Sequence, residues 1–199
     1  TRTSSSAASD VYKRQVWLDA LDLPLFVYLE GSYAREGDLQ ARRNRPDASE
    51  VEYLSAGLAP SRQAHRARRY PMMRYPWDRT EAALRAMADH SDGVMPELDY
   101  VNPETGADVL PTMGFTAMML AAGLKTTPPR RSCSSAFHVV AGRGRTTIDG
   151  QTVEWGPKDT FSAPVFASLS HEADEEAFLV RIHDRPLQEK LGYYEERDS

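Results

Sequence analysis

The stretch WLDALD, near the start of the sequence, contains the residue best placed for acid–base chemistry. In an extended strand, Trp17, Asp19 and Leu21 would lie on one face, because successive side chains point to opposite sides. A carboxylate among large apolar side chains must be paired, hydrogen-bonded or protonated, and such groups often act on substrates. The alternative is structural: Asp19 or Asp22 would bond the backbone amides of a loop. The residues alone do not separate these two interpretations.

Three further polar residues could meet in one pocket of a β-structure. Strand alternation places Arg131 and Cys133 on the same inward face, and by the same parity His171 points inward. A metal site is one interpretation, but three scattered polar groups match no known ligand spacing. The favoured interpretation is structural: Arg131 pairs with a nearby acid, Cys133 packs as a small apolar group and His171 is an interior histidine. The other histidines are expected at the surface or pointing outward: His65, His90, His138 and His183.

These residues would be positioned by many short strands. In the second half of the chain, short apolar segments are separated by glycine turns, and Asp149-Gly150 is a hairpin signal. Such a series predicts an all-β fold, as a small antiparallel barrel or sandwich. One helix is expected near residues 78–90, where Asp78 and Glu81 have the spacing of a capping box. A second helix is expected over DRPLQEKLGYYEE at the end of the sequence.

A glycine spacing within the strand series identifies the type of barrel. Gly123 and Gly142 fit the two ends of the motif G-x5-H-x-H-x3-E-x6-G, and Asp159 and Pro164 follow where a second motif requires them. This spacing is typical of cupins, jelly-roll barrels that usually hold one metal ion. The positions of the metal ligands are occupied by Pro129, Arg131, Ser135 and Leu169. These residues cannot replace imidazole and carboxylate around a divalent ion, so we expect a cupin double-stranded β-helix without its metal.

The first half of the chain has a different composition. Residues 16–34 begin with a dense apolar run that Pro24 splits, which predicts two strands. Residues 35–96 are rich in charge, Gly, Pro and Ser, and are predicted to be a linker arm around the one helix. Their arginine run, residues 62–74, is expected to pair with acids of another domain or subunit rather than to bind RNA, since the chain is acidic overall. Residues 97–199 hold the predicted barrel.

The composition limits the classes of function. The chain has 199 residues and a formal net charge of -5, so the whole chain is not expected to bind nucleic acid. It has one cysteine, which excludes an internal disulfide and fits a cytoplasmic protein. The apolar runs are far shorter than a membrane span, and the first residues lack the apolar core of a signal peptide. Neither a membrane partner nor secretion is therefore expected.

Several stretches resemble, in their order and spacing, the gentisate 1,2-dioxygenases and their salicylate and 1-hydroxy-2-naphthoate relatives. They are WLDALDLPL, RYPWDRTEAAL, YVNPETGADVLPTM, HVVAGRGRTTIDG, WGPKDTF and DRPLQEKLGYYEE. The resemblance implies a bicupin that uses non-haem Fe(II) and O2 to cleave a hydroxylated aromatic carboxylate, converting gentisate to maleylpyruvate. It also implies a homo-oligomer, commonly a tetramer. Trp17 would line the substrate pocket, and Asp19 would act as an acid or base near the substrate hydroxyl without binding iron.

The same resemblance implies that part of the enzyme lies outside this sequence. In the family the iron sits on three histidines of the N-terminal cupin, which would lie upstream of Val16, and the C-terminal cupin often lacks metal. Residues 16–34 are therefore interpreted as the terminal strands of a truncated N-terminal cupin, and residues 97–199 as a metal-free C-terminal cupin. We expect this fragment to be inactive and to bind no iron. The alternative is a non-catalytic, metal-free cupin module that binds a ligand or a subunit.

The first residues are expected to be foreign to the protein. Residues 5–15, SSAASDVYKRQ, can be back-translated into a widely used transposase sequencing adapter read in frame. We therefore interpret residues 1–15 as adapter translation joined to a gene fragment. They are expected to be disordered, because this Ser-rich segment has too few apolar residues to form a hydrophobic core.

Overall fold

The computed structural model describes four stretches of the chain, residues 18–29, 74–90, 95–103 and 105–198. The chain divides into two compact units, residues 1–37 and residues 38–199. The predicted adapter segment, residues 1–15, lies outside the described residues, as do His65 and all of the arginine run except its last residue. Within the described stretches, no helix is long and apolar enough to cross a membrane.

The first unit contains helix α1, Leu23–Tyr28. The prediction of two strands is therefore wrong where the structure describes this segment, since residues 18–22 form no strand and the residues around Pro24 are helical. Pro24 lies in the first turn of α1, where its fixed φ favours a helix and its missing N–H removes no helical bond. A strand also needs a neighbour to pair its backbone groups, and the described residues of this unit supply none.

The described part of the second unit contains two large antiparallel sheets and one two-stranded sheet. Its strands are β1 (Glu97–Asp99), β2 (Gly114–Leu120), β3 (Lys125–Thr126), β4 (Arg130–Arg131), β5 (Ser135–Ala141), β6 (Gly144–Ile148), β7 (Gln151–Trp155), β8 (Thr160–Ala163), β9 (Leu169–Ala173), β10 (Ala177–His183) and β11 (Glu196–Arg197). One sheet has the order β1-β2-β10-β5-β8, the other has the order β3-β9-β6-β7, and β4 pairs with β11. The predicted all-β class is confirmed.

Glycines set two of the turns that the sequence predicts. Asp149 and Gly150 join β6 to β7 with φ values of 48° and 83°, the left-handed conformations of a two-residue type I′ turn. Gly142, the last glycine of the cupin motif, has a φ of 87°. A Cβ at this position would overlap the carbonyl oxygen of Glu176, just before β10. The motif therefore requires glycine here both for conformation and for close backbone approach.

Strand alternation builds two apolar clusters, one on each face of the five-stranded sheet. In β10, Leu179 belongs to the inner cluster and its neighbour Phe178 to the outer cluster. The inner cluster lies between the two sheets, since it joins residues of both. It comprises Met118, Leu120, Phe137, Val139, Trp155, Ala163, Ala167, Ala173, Ala177 and Leu179. The buried residues of the outer cluster are Leu84, Ala117, Met119 and Phe178.

Helix α2, Trp77–Ala88, covers the outer cluster and confirms the helix predicted near residues 78–90. Its buried residue is Leu84, which packs on the sheet. The predicted capping box is wrong, because Pro76 takes the N-cap position with an extended backbone. Glu81 instead accepts a hydrogen bond from Trp77 Nε1, one turn earlier, at 3.1 Å.

Helix α3, Arg185–Leu191, confirms the predicted closing helix. It ends at Gly192, whose φ of 78° gives the left-handed conformation common at helix ends. The chain then returns to the barrel, where Glu196 of β11 lies opposite Arg131 of β4. The C-terminal residues are thus placed beside a residue of the cupin motif.

Leu84→Ala should lower the free energy of unfolding by about 2–5 kcal/mol, because it leaves a cavity between α2 and the sheet. Met87→Ala is the matched control, since Met87 lies on the same helix but is 40% exposed, against 0% for Leu84. The control should change stability by about 0.5 kcal/mol or less. Denaturant unfolding measures both changes. Equal losses in the two variants would contradict the packing of α2 through Leu84.

Candidate functional site

The four ligand positions of the cupin motif come together in one pocket of the barrel. Pro129, Arg131, Ser135 and Leu169 all line it, and Cys133 and Arg181 join them. The pocket has a volume of about 10 Å³, which is the room that one water molecule needs. The motif spacing therefore located a real cavity, although its chemistry is not that of a metal site.

The pocket does not fit Fe(II) or another divalent cation. Its charged lining residues are two arginines, Arg131 and Arg181. A guanidinium group carries a positive charge and offers no lone pair to a metal. Among the described residues, no three His, Cys, Asp or Glu side chains are grouped so that they could hold a metal ion. The lining of this pocket therefore does not suit the iron that the family resemblance implies.

Arg181 is the functional candidate that sequence reasoning missed. It lies on β10 with only 3% of its surface exposed. Its Nη2 donates to Thr116 Oγ1 at 3.3 Å, while its Nε has no hydrogen-bond partner among the described residues. Burial and the nearby charge of Arg131 lower its pKa. The sequence feature that could have identified Arg181 is the alternation of side chains in AFLVRIH, which places Arg181 on the same face as Leu179.

Arg131 lies at the edge of the pocket and is held by the end of the chain. Its Nε donates to Glu196 Oε1 at 2.9 Å, in an ion pair between β4 and β11. The Tyr194 hydroxyl donates to the same oxygen at 2.6 Å. Hydrogen bonds from Tyr194 and Arg131 lower the pKa of Glu196, even though burial opposes this. The predicted pairing of Arg131 with a nearby acid is confirmed.

Cys133 and His171 also occupy the places that the structural interpretation gave them. Cys133 is buried, and this burial raises the pKa of its thiol, which disfavours the reactive thiolate form. His171 is fully buried, and its Nδ1 lies 2.8 Å from Thr146 Oγ1, which also accepts from Trp155 Nε1 at 2.9 Å. Its Nε2 has no partner within the described part of the chain. His171 does not line the pocket with Arg131 and Cys133, because its ring lies beside Phe137 in the core.

His183 was expected at the surface, and this prediction is wrong. Its position on β10 turns it inward, and the absence of a side chain at Gly114 makes room for its ring. Thr116 Oγ1 donates its one hydrogen to Asp99 Oδ1 at 2.5 Å. The 3.1 Å contact between this oxygen and His183 Nε2 is therefore a bond that the oxygen accepts, so Nε2 carries the proton. His90 and His138 are not buried, as expected.

The two residues of WLDALD with predicted roles belong to the first unit. Trp17 lies outside the described residues. Asp19 is exposed in the segment before α1. Its role in acid–base chemistry stays a prediction.

Comparisons with known proteins agree on one group of enzymes. No protein-family model matches the chain. The gentisate 1,2-dioxygenase of a Ralstonia species is 37% identical over 187 residues, covering 92% of this chain and 52% of that protein. The 5-aminosalicylate 1,2-dioxygenase of a Comamonas species is 33% identical, covering 98% of this chain and 52% of that protein. Over most of its length, this chain is similar to gentisate 1,2-dioxygenases.

Comparison with solved structures identifies the fold. The crystal structure of salicylate 1,2-dioxygenase from Pseudaminobacter salicylatoxidans matches with a TM-score of 0.78 and 26% sequence identity, covering 89% of this chain and 53% of that one. The predicted cupin barrel with flanking helices is confirmed by this similarity. The chain spans about half the length of the curated relatives it matches, 52% for each of the two named above.

Acid should destabilise the barrel through its buried histidines. Burial, with the charges of Arg181 and Arg131, lowers the pKa of His171 to about 4, and burial with Arg181 lowers that of His183 to about 3. Unfolded histidine titrates near pH ~6.5. Below that pH the unfolded chain therefore binds more protons than the folded chain. The contribution of the neutral histidines to the free energy of unfolding is fully present above this pH and is lost as the pH drops toward 4. For His171 alone the loss should reach about 3 kcal/mol.

His171→Gln should flatten this dependence, because the glutamine does not titrate. His90→Gln is the matched control, since His90 is exposed on the surface after α2. Urea unfolding at a series of pH values between roughly 7 and 4 measures the slope. An unchanged slope in His171→Gln would contradict the assignment of a neutral buried histidine.

Proposed function

We propose that this chain is the C-terminal half of a ring-cleaving dioxygenase that uses Fe(II) and O2. Its substrate is a hydroxylated aromatic carboxylate, with gentisate converted to maleylpyruvate. The observation that carries the proposal is the 37% identity to a gentisate 1,2-dioxygenase, maintained over 92% of the chain. The relatives also include a 5-aminosalicylate dioxygenase, so the substrate class is a ring that bears a carboxylate beside an electron-rich substituent.

In this proposal the described barrel supports the reaction without holding the iron. Two arginines line the pocket where a cupin would bind its metal, and their charges oppose a cation. The iron ligands then belong to the N-terminal cupin of the longer protein. The barrel contributes stability, subunit contacts and one wall of the active site, and the protein forms a homo-oligomer.

The apolar character of α1 supports the proposal that this segment packs in an N-terminal cupin. None of its residues is buried, and Leu23, Phe26, Val27 and Tyr28 are all exposed. A short helix with so much exposed apolar surface gains stability only when another part of a protein covers it. Such packing would carry Trp17 and Asp19 toward the substrate, where Asp19 acts on the proton of the substrate hydroxyl.

A second candidate function is a metal-free cupin module that binds a ligand or a subunit. The observation that favours it is the pocket itself, which is lined by the buried side chain of Arg181 and whose lining does not suit a metal ion. The two functions differ in the gene upstream of the Val16 codon. An upstream H-x-H cupin supports the dioxygenase, whereas a start codon close before Trp17 would contradict it.

The purified 199-residue chain should neither retain stoichiometric iron nor turn over gentisate. The reason is that its described residues provide no group of three metal ligands. Metal analysis and the absorbance of the ring-cleavage product, with Fe(II), O2 and gentisate added, measure the two properties. The longer protein with the upstream cupin is the control and should be active. Turnover by the chain alone would overturn this division of roles.

In the longer protein, Asp19→Asn should lower kcat by roughly 10²-fold or more and should raise KM by a smaller factor. The reason is that an acid–base group acts on the transition state. Asp22→Asn is the matched control, since Asp22 lies one turn away at the start of α1. It should leave kcat close to the wild-type value. Steady-state kinetics with gentisate measure both variants. An unchanged kcat in Asp19→Asn would leave Asp19 with a structural role.

A further inference from the structure

We propose that the pocket between Arg131 and Arg181 is an anion site that binds one monoatomic anion, with chloride as the ligand in solution. The four ligand positions of the cupin motif line this pocket. The two arginines in its lining make this pocket attract an anion, whereas the His and Glu ligands of the motif would attract a cation. The proposal stands independently of the dioxygenase function, because it rests on the described barrel alone.

The first support is the set of hydrogen-bond donors that Arg181 leaves unused. A guanidinium has five N–H groups in a fixed planar arrangement and stays protonated in proteins. Arg181 is 3% exposed, and its bond to Thr116 is long, at 3.3 Å. Its Nε has no partner among the described residues. A buried donor without an acceptor is costly, so an acceptor inside the pocket would stabilise this arrangement.

The second support is the balance of charge around the pocket. Arg131 is compensated by Glu196 at 2.9 Å. Arg181 forms no ion pair with any acid of the described residues, although the charges of Glu97 and Asp99 act on it from a distance. A buried charge without a direct counter-ion is unfavourable, and an anion beside Arg181 removes that cost.

The third support is the size of the space. A volume of about 10 Å³ accepts one particle the size of a water molecule. This space favours a monoatomic ligand over aromatic carboxylates, phosphate and sulfate, which are several times larger. The Ser135 hydroxyl lines the same space and offers a further donor. A halide ion is somewhat larger than a water molecule, but it is the common anion that comes nearest to this size.

The test is a chloride titration of the 199-residue chain at constant ionic strength. Sodium gluconate balances the salt, because gluconate is too large for the pocket, and circular dichroism gives the Tm. A ligand that binds the folded state raises the Tm in a saturable way. We expect saturation with chloride, and an apparent Kd at least about tenfold weaker in Arg181→Met. Arg143→Met should behave as wild type, since the Arg143 side chain is 71% exposed.

A second pair of measurements covers the case in which Arg181→Met does not fold. Arg131→Met keeps the buried β10 unchanged and should also weaken the chloride response. Crystals grown in bromide should show an anomalous scattering peak within hydrogen-bond distance of the Arg181 guanidinium. Equal effects of chloride and gluconate on the wild type, or an undiminished chloride response in both arginine variants, would overturn the proposal and assign a water molecule to the pocket.

Discussion

The register of strand β10 is the constraint on which the rest of the barrel depends. β10 pairs with β2 along one edge and with β5 along the other, so it cannot shift without breaking two ladders. A slip of one residue would move Phe178 into the barrel and turn Leu179 and Arg181 out of it. The inner core, the outer core under α2 and the charge in the pocket are all set by this one strand.

The polar side chains of the barrel interior form a connected arrangement rather than a set of separate groups. Thr116 accepts from Arg181 and His183 and donates to Asp99. One hydroxyl thus links a buried cation to a carboxylate that lies near the surface, where Arg185 pairs with it at 2.9 Å. Inside a protein such linked bonds strengthen one another, and the loss of one member affects all. The interior of the described barrel therefore contains a hydrogen-bonded network around a positive charge.

Local sequence signals were sufficient to predict much of this architecture. The hairpin at Asp149-Gly150, helix α3 and the glycine at position 142 follow from conformational preferences of single residues. The motif spacing even located the pocket, because it fixes positions along strands that meet in the barrel. Arg181 and His183 could not be placed in the same way, since their burial depends on pairing between strands distant in sequence. Helix α1 was missed because apolar content alone does not separate a strand from a helix.

The pairing of β11 with β4 has a consequence for access to the barrel interior. β11 is two residues long and pairs only with the equally short β4, so few backbone hydrogen bonds hold it. Its Glu196 is the acid that holds Arg131 at the edge of the pocket. Local opening of this short pair would release Arg131 while β10 remains paired on both sides. The pocket could then exchange its contents with solvent at a free energy far below that of unfolding the barrel.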